Sequence, residues 1–180
     1  MKANRAVSTS KFLALVLRHR PDAAGVTLDA EGWVSIDDLV AGCVAHGHPI
    51  TRAELLEIVR ESDKQRFAVR GGFIRANQGH SVEVDLALPP MRPPPVLFHG
   101  TVPRFLASIR RCGLVRGERT HVHLSPDVET ARRVGQRRGD AVVLVVDAAA
   151  MADAGIVFYR SENGVWLTDS VPPEYVTFPP

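Results

Sequence analysis

Cysteine is almost missing from this chain: Cys43 and Cys112 are the only two in 180 residues, and they lie far apart, outside any metal or redox spacing. That scarcity excludes a disulfide scaffold and points to a reducing compartment, so a cytoplasmic protein is expected. Long apolar runs are missing as well. The run at residues 12–17 is interrupted by Arg18, which leaves it too short for a signal-peptide core or a membrane span. No glycine-rich phosphate loop and no G-x-G-x-x-G fingerprint occurs, which argues against a P-loop and a Rossmann domain. Any nucleotide must be held by other means. Lysine is scarce too, since 19 of the 22 cationic residues are arginine. No acid precedes Asp22.

What is present begins with the segment before Asp22. Phe12, Leu13, Val16 and Leu17 have the spacing of one buried helical face, and Pro21 disfavours continuation, so a helix ends at Arg18-His19-Arg20. Cations at a helix C-terminus complement the helix dipole, which by itself would account for them. The net charge is only +2, yet residues 104–138 hold nine arginines against three acids. Such a local excess can attract a polyanion although the whole chain is nearly neutral. Arginine also suits buried phosphate sites, because its planar fork grips two oxygens and keeps its proton.

Five prolines in residues 89–95 cannot form a helix or central strand, so they read as a semi-rigid connector between residues 1–88 and 96–180. In the first half, Ser35 and Asp38 open a helix ending near Gly47. Thr51 and Glu54 have capping-box spacing and open another, carrying Leu55, Ile58 and Val59 on one face. The alternation of residues 66–70, Gly71-Gly72 and residues 73–75 predict a hairpin. Three helices followed by a hairpin suggest a winged helix, a fold used for both nucleic-acid and protein contacts.

In the second half, residues 96–101 read as a strand, and a helix from Pro103 to Arg111 stops at Gly113. Residues 121–125 form the next strand, and Pro126 opens a helix reaching about Arg138. The apolar residues 141–146 form a central strand, and 156–159 pair with 165–168 as a hairpin. The fold class expected is α+β. Trp33 and Trp166 are expected as core anchors, and His46 and His48 as loop residues. His121 and His123 share a strand face, which admits a zinc reading. No third and fourth ligand follow at suitable spacing, so no metal is expected.

Phe98-His99-Gly100-Thr101 at a strand end, then a helix and a strand ending in Leu124-Ser125, resembles the NAD-binding core of ADP-ribosyltransferases. With Leu17-Arg18-His19-Arg20-Pro21, Gly32-Trp33-Val34, Lys64-Gln65-Arg66-Phe67 and residues 119–125, the chain resembles the RNA 2′-phosphotransferase (KptA) family from about Ser8 to Phe178. The resemblance implies an N-terminal winged-helix lobe binding RNA and phosphate, and a C-terminal ADP-ribosyltransferase-like lobe binding NAD. NAD would be consumed as co-substrate, with no hydride moved. The substrate would be RNA bearing an internal 2′-phosphate, and the protein a monomer needing no membrane.

The family's catalytic set falls here on Arg18, His19, Arg66 and Arg119. His99 and Thr101 are implied to contact the nicotinamide ribose, the Gly100 backbone the carboxamide, and Ser125 the flank of that pocket. Gly113, Leu114, Arg137 and Arg138 are implied nearer the adenosine or pyrophosphate. Protein-modifying ADP-ribosyltransferases use a late glutamate to activate a weak acceptor. Glu162 and Glu174 do not sit where that residue is expected, which agrees with an acceptor that is already a phosphate dianion. Two alternatives stand beside this reading: ADP-ribosylation of terminal phosphates of RNA or DNA, and a non-enzymatic NAD-sensing winged-helix protein that binds nucleic acid.

Overall fold

The computed structural model describes residues 3–62 and 64–179. The chain divides into two compact units, Met1–Ala87 and Leu88–Pro180.

In the first unit, helix α1 (Ala3–Arg18) buries Leu13, Val16 and Leu17, as their spacing predicts. A 3-10 turn over Pro21–Ala24 follows. A two-residue strand, β1 (Val34–Ser35), leads into α2 (Ile36–Ala45), whose N-cap Ser35 accepts from the Asp38 amide. Helix α3 (Arg52–Arg60) opens on the expected capping box: Thr51 accepts from the Glu54 amide, and Glu54 accepts from the Thr51 amide at 2.9 Å. The hairpin of β2 (Phe67–Arg70) and β3 (Phe73–Ala76) turns at Gly71 and Gly72, with φ of 55° and 85°. Positive φ at both turn positions is what a tight two-residue hairpin needs. Strand β1 pairs with the free side of β3, giving the antiparallel order β1-β3-β2. Two residues carry no readable periodicity, so that strand was not expected. Leu13, Leu17, Ile36, Leu39, Leu55, Phe67 and Ile74 form the core. Trp33 is only partly buried; the guanidinium of Arg75 lies 4.5 Å from its ring centroid.

Residues 77–87 form neither helix nor strand, yet they are tied down at several points. The amides of Ser81 and Val82 donate to the Arg18 carbonyl at 2.9 and 3.3 Å, and the Asp85 amide donates to Ala30 at 2.9 Å. Those bonds satisfy a carbonyl that the helix end leaves without an intrahelical partner.

The proline-rich residues 89–95 run extended along the second unit. The Met91 amide donates to Phe158, Ala149 donates to Pro95, and Arg92 pairs with Asp153 at 2.8 Å. Then come β4 (Val96–Thr101), α4 (Pro103–Cys112), β5 (Leu114–Val115), β6 (Val122–Leu124) and α5 (Val128–Gly135). They are followed by β7 (Val142–Asp147), α6 (Ala148–Asp153), β8 (Tyr159–Arg160), β9 (Trp166–Thr168), β10 (Ser170–Val171) and β11 (Val176–Thr177). All pairing is antiparallel, in sheets ordered β11-β7-β4, β6-β9-β8 and β10-β5. A bridge between Phe98 and Ser125 joins the first two. With helices beside antiparallel sheets, the fold class is α+β.

Two local outcomes differ from expectation. The helix predicted to reach Arg138 ends at Gly135 and tightens into a 3-10 turn, Gln136–Arg138, and its cap is Asp127 rather than Pro126. Helix α6 was not expected, although Asp147 caps it by accepting from the Ala150 amide at 3.0 Å. An Asp followed by three alanines is an N-terminal helix signal, hidden here by the strand it abuts.

Candidate functional site

In the first unit, α1 delivers Arg18 half-buried at its last turn and His19 just beyond it, exposed. The His19 Nδ1 lies 2.8 Å from the Ser81 hydroxyl. Arg20 is engaged elsewhere, on the Asp22 carboxylate at 2.7 Å, which raises the pKa of the one and lowers that of the other. The helix-end cluster therefore divides. Arg66 stands immediately before β2, beside Gln65, whose φ of 38° is unusual for a residue with a side chain. Asn77 secures that turn from below: it is buried, its side-chain amide donates to the Gln65 carbonyl at 2.6 Å, and its backbone amide donates to Arg66 at 2.9 Å. Strained backbone persists only where its surroundings determine it, and here they hold the residue carrying the guanidinium.

The neighbouring helix pair carries the opposite charge. Helices α2 and α3 bear Asp37, Asp38, Glu54 and Glu57 against Arg52 and Arg60, and Arg52 is paired with Asp37. With four acids against two arginines, that helix pair does not favour a polyanion.

Beneath Arg18 and His19 lies His80, wholly buried, with neither ring nitrogen hydrogen-bonded among the described residues. Burial, then the charges of Arg18, His19 and Arg75, push its pKa down to about 4. Because the folded value lies below the ordinary one, the unfolded chain binds this proton first as pH falls. Stability is therefore complete above pH 6.5 and declines on acidification towards about pH 4. By linkage the loss attributable to His80 over that window is about 3 kcal/mol at most. Denaturant titrations of wild type and His80→Leu should diverge across it, and parallel curves would show that His80 protonates freely in the fold.

In the second unit the candidate residues converge on His123. The Arg119 Nη1 donates to the His123 Nδ1 at 3.2 Å, and the His99 Nδ1 donates to the His123 carbonyl at 3.0 Å. That donation places the His99 proton on Nδ1 and leaves Nε2 as the acceptor of a neutral ring. Burial, with the charges of Arg138 and Arg119 adding to it, lowers the His99 pKa below the usual histidine range. Burial followed by Arg138 and Arg137 likewise lowers that of Arg119, which nevertheless remains a cation. None of Arg119, Arg137 and Arg138 pairs with a carboxylate among the described residues. Three uncompensated guanidiniums acting on one another suit a ligand with several negative charges.

The other residues named from sequence divide by position. Thr101 is buried at the end of β4, and Ser125 exchanges backbone bonds with Phe98 at 2.9 and 2.7 Å, beside His99. Gly113 and Leu114 are set against β10: Leu114 is in the core, paired with Val171, and a Cβ on Gly113 would fall 2.0 Å from the Val171 carbonyl oxygen. Sequence reasoning missed the part played by His123, which it weighed only as a metal ligand, and missed Ser81, Asn77 and His80 entirely. The zinc reading gains nothing, since no group of three or more His, Cys, Asp or Glu among the described residues could hold a metal. No helix among them is long and apolar enough to cross a membrane.

A family model described as "RNA 2'-phosphotransferase, Tpt1 / KptA family" matches residues 4–170. The chain is 57% identical to a probable RNA 2'-phosphotransferase of Streptomyces coelicolor, over 99% of this chain and 98% of that one. Proteins of the same description from Agrobacterium fabrum and Nostoc punctiforme are 55% and 52% identical, over 94% and 98% of this chain and 92% and 98% of theirs.

Proposed function

The chain belongs to the RNA 2′-phosphotransferase, Tpt1 / KptA family, and from that membership we propose that it removes an internal 2′-phosphate from RNA by transferring it to NAD. The observation that carries the NAD assignment is the group of Arg119, Arg137 and Arg138 acting on one another beside His99, uncompensated by acid. A dinucleotide pyrophosphate has the charge such a group lacks. The fold reading belongs to the same proposal. Helices α1 to α3 with the β2–β3 hairpin support a winged-helix lobe, and the His99-Gly100-Thr101 strand end supports an ADP-ribosyltransferase-like lobe.

NAD supplies an electrophilic ribose carbon, C1″, a nicotinamide leaving group and a 2″-hydroxyl, so that RNA-2′-phospho-ADP-ribose forms first and is then resolved to 2′-hydroxyl RNA and ADP-ribose 1″,2″-cyclic phosphate. The RNA phosphate needs no base, because its second pKa near 6 makes it largely a dianion at neutral pH. It needs orientation. Arg18 and Arg66 hold its oxygens by charge-assisted bonds, with Arg66 fixed by the Asn77-braced turn. His19 hydrogen-bonds the phosphate or handles the proton of the 2″-hydroxyl. His99 and Thr101 line the nicotinamide ribose, and Arg119 answers the charge that builds on phosphorus in the second step.

The test is an oligoribonucleotide with one internal 2′-phosphate, incubated with the protein and NAD. Nicotinamide, 2′-hydroxyl RNA and the cyclic phosphate are expected in equal amounts. ADP-ribosylated nucleic acid accumulating without cyclic phosphate would favour terminal-phosphate modification. No nicotinamide release at all would leave a binding protein.

A further inference from the structure

Resting on the reading of His19 as a group that acts on the phosphate, we infer that Ser81 is its positioning residue, fixing the plane and proton placement of the ring. His19 lies beyond the last residue of α1, and its side chain is exposed. An exposed ring at a helix end turns about two rotatable bonds, and a hydrogen bond to one ring nitrogen selects among the orientations these allow. Ser81 comes from 62 positions away and puts its hydroxyl 2.8 Å from Nδ1.

The hydroxyl is itself held. The Ser81 amide donates to the Arg18 carbonyl at 2.9 Å, so the two hydrogen bonds from this one residue grip both neighbours in the Arg18-His19 pair. Val82 donates to the same carbonyl at 3.3 Å, and the preceding residue, His80, is wholly buried. Ser81 thus stands on an anchored backbone and adds a single rotor of its own.

A hydroxyl suits this position because it both donates and accepts. When His19 is neutral with its proton on Nε2, the Ser81 hydroxyl donates to Nδ1. When His19 takes up a proton, the hydroxyl turns and accepts from Nδ1–H. The ring keeps its plane through the cycle, and the substrate meets the same nitrogen, Nε2, in both states. Carboxylates and carbonyls that bond the far nitrogen of a metal-bound histidine fix its ring in the same manner.

The experiment compares wild type, Ser81→Ala and Ser81→Thr as full chains, using NAD and the 2′-phosphorylated oligonucleotide, and reads the His19 ring by 15N chemical shifts, assigned with His19→Asn. Ser81→Ala is expected to lower kcat roughly tenfold, the kinetic equivalent of one net hydrogen bond, with the KM for NAD unchanged. Its His19 shifts should move from one defined tautomer to the average of two, and Ser81→Thr, which keeps the hydroxyl, should restore both. Wild-type kcat and unaltered shifts in Ser81→Ala would overturn the inference. So would equal losses in both variants accompanied by a lower melting temperature, which would make Ser81 a structural residue only. The shifts decide even if wild type forms no product: a single tautomer lost in Ser81→Ala supports positioning although the catalytic reading has failed, and a tautomer mixture already present in wild type refutes it.

Discussion

Arg119→Ala is expected to halt the reaction between its two steps, with RNA-2′-phospho-ADP-ribose accumulating. The two steps place charge differently. In the first, the ribosyl centre becomes cationic, and a further guanidinium gives little help. In the second, the phosphorus passes through a transition state with negative charge on its equatorial oxygens, where a cation contributes most. Removing one aimed donor of this kind costs roughly 10²–10³-fold in rate, and an arginine finger at a phosphoryl group can be worth more. The structural cost is small by comparison: the residue as a whole is exposed although its guanidinium feels partial burial, and its side-chain hydrogen bond among the described residues is the one it donates to His123. The fold should therefore persist, and because Arg137 and Arg138 remain for the pyrophosphate, NAD affinity should fall far less than the second step slows. A gel time course separates RNA-linked ADP-ribose from substrate and product. Equal slowing of its formation and its decay would remove Arg119 from the second step.

Gly100→Ala is expected to unfold much of the second unit. A Cβ there would sit 1.8 Å from the Ala131 carbonyl oxygen, 2.7 Å from its carbon and 2.8 Å from the Gly135 amide nitrogen. These are backbone atoms of α5, and Ala131 is wholly buried, so no side chain can swing aside. Gly135 approaches from the other side, where its own Cβ would lie 3.0 Å from the Thr101 carbonyl oxygen. Helix α5 and strand β4 thus meet backbone to backbone. Overpacking of a filled core typically costs 1–3 kcal/mol, and this contact is closer than most, so a loss of about 3 kcal/mol or more is expected. That is a large fraction of the 5–15 kcal/mol typical of a domain. Denaturant unfolding of the second unit reads it directly. A variant of unchanged stability that no longer binds NAD would show that this glycine serves the ligand rather than the helix.

That glycine shows how one residue can be legible for one reason and required for a second. Read along the chain, His99-Gly100-Thr101 is a ligand motif. In the fold, Gly100 is also the point where α5 can lie on β4, and His99 reaches the carbonyl of a residue 24 positions on. The capping box at Thr51 and Glu54, the Gly71-Gly72 turn and the buried face of α1 were legible, because each depends on residues within four positions of one another. Strand β1 was not, being two residues whose only reason to extend is the edge of β3.

The sequence by itself determined the α+β class and most of the helices, since caps, turns and amphipathic spacing are short-range physics, and it showed the arginine-rich character of both halves and, through the ordered motifs it shares, the family. It also nominated Arg18, His19, Arg66, His99 and Arg119. Only the tertiary structure decided what holds them. Arg20 went to Asp22, the turn at Arg66 to Asn77, His19 to Ser81, and Arg119 and His99 to His123. Apart from the local Arg20–Asp22 and Arg119–His123 pairs, those partnerships join different parts of the chain, and the longest spans 62 positions. A hydrogen bond requires two atoms within about 3 Å at the right angle. Local propensity constrains no such distance across a folded chain; packing does.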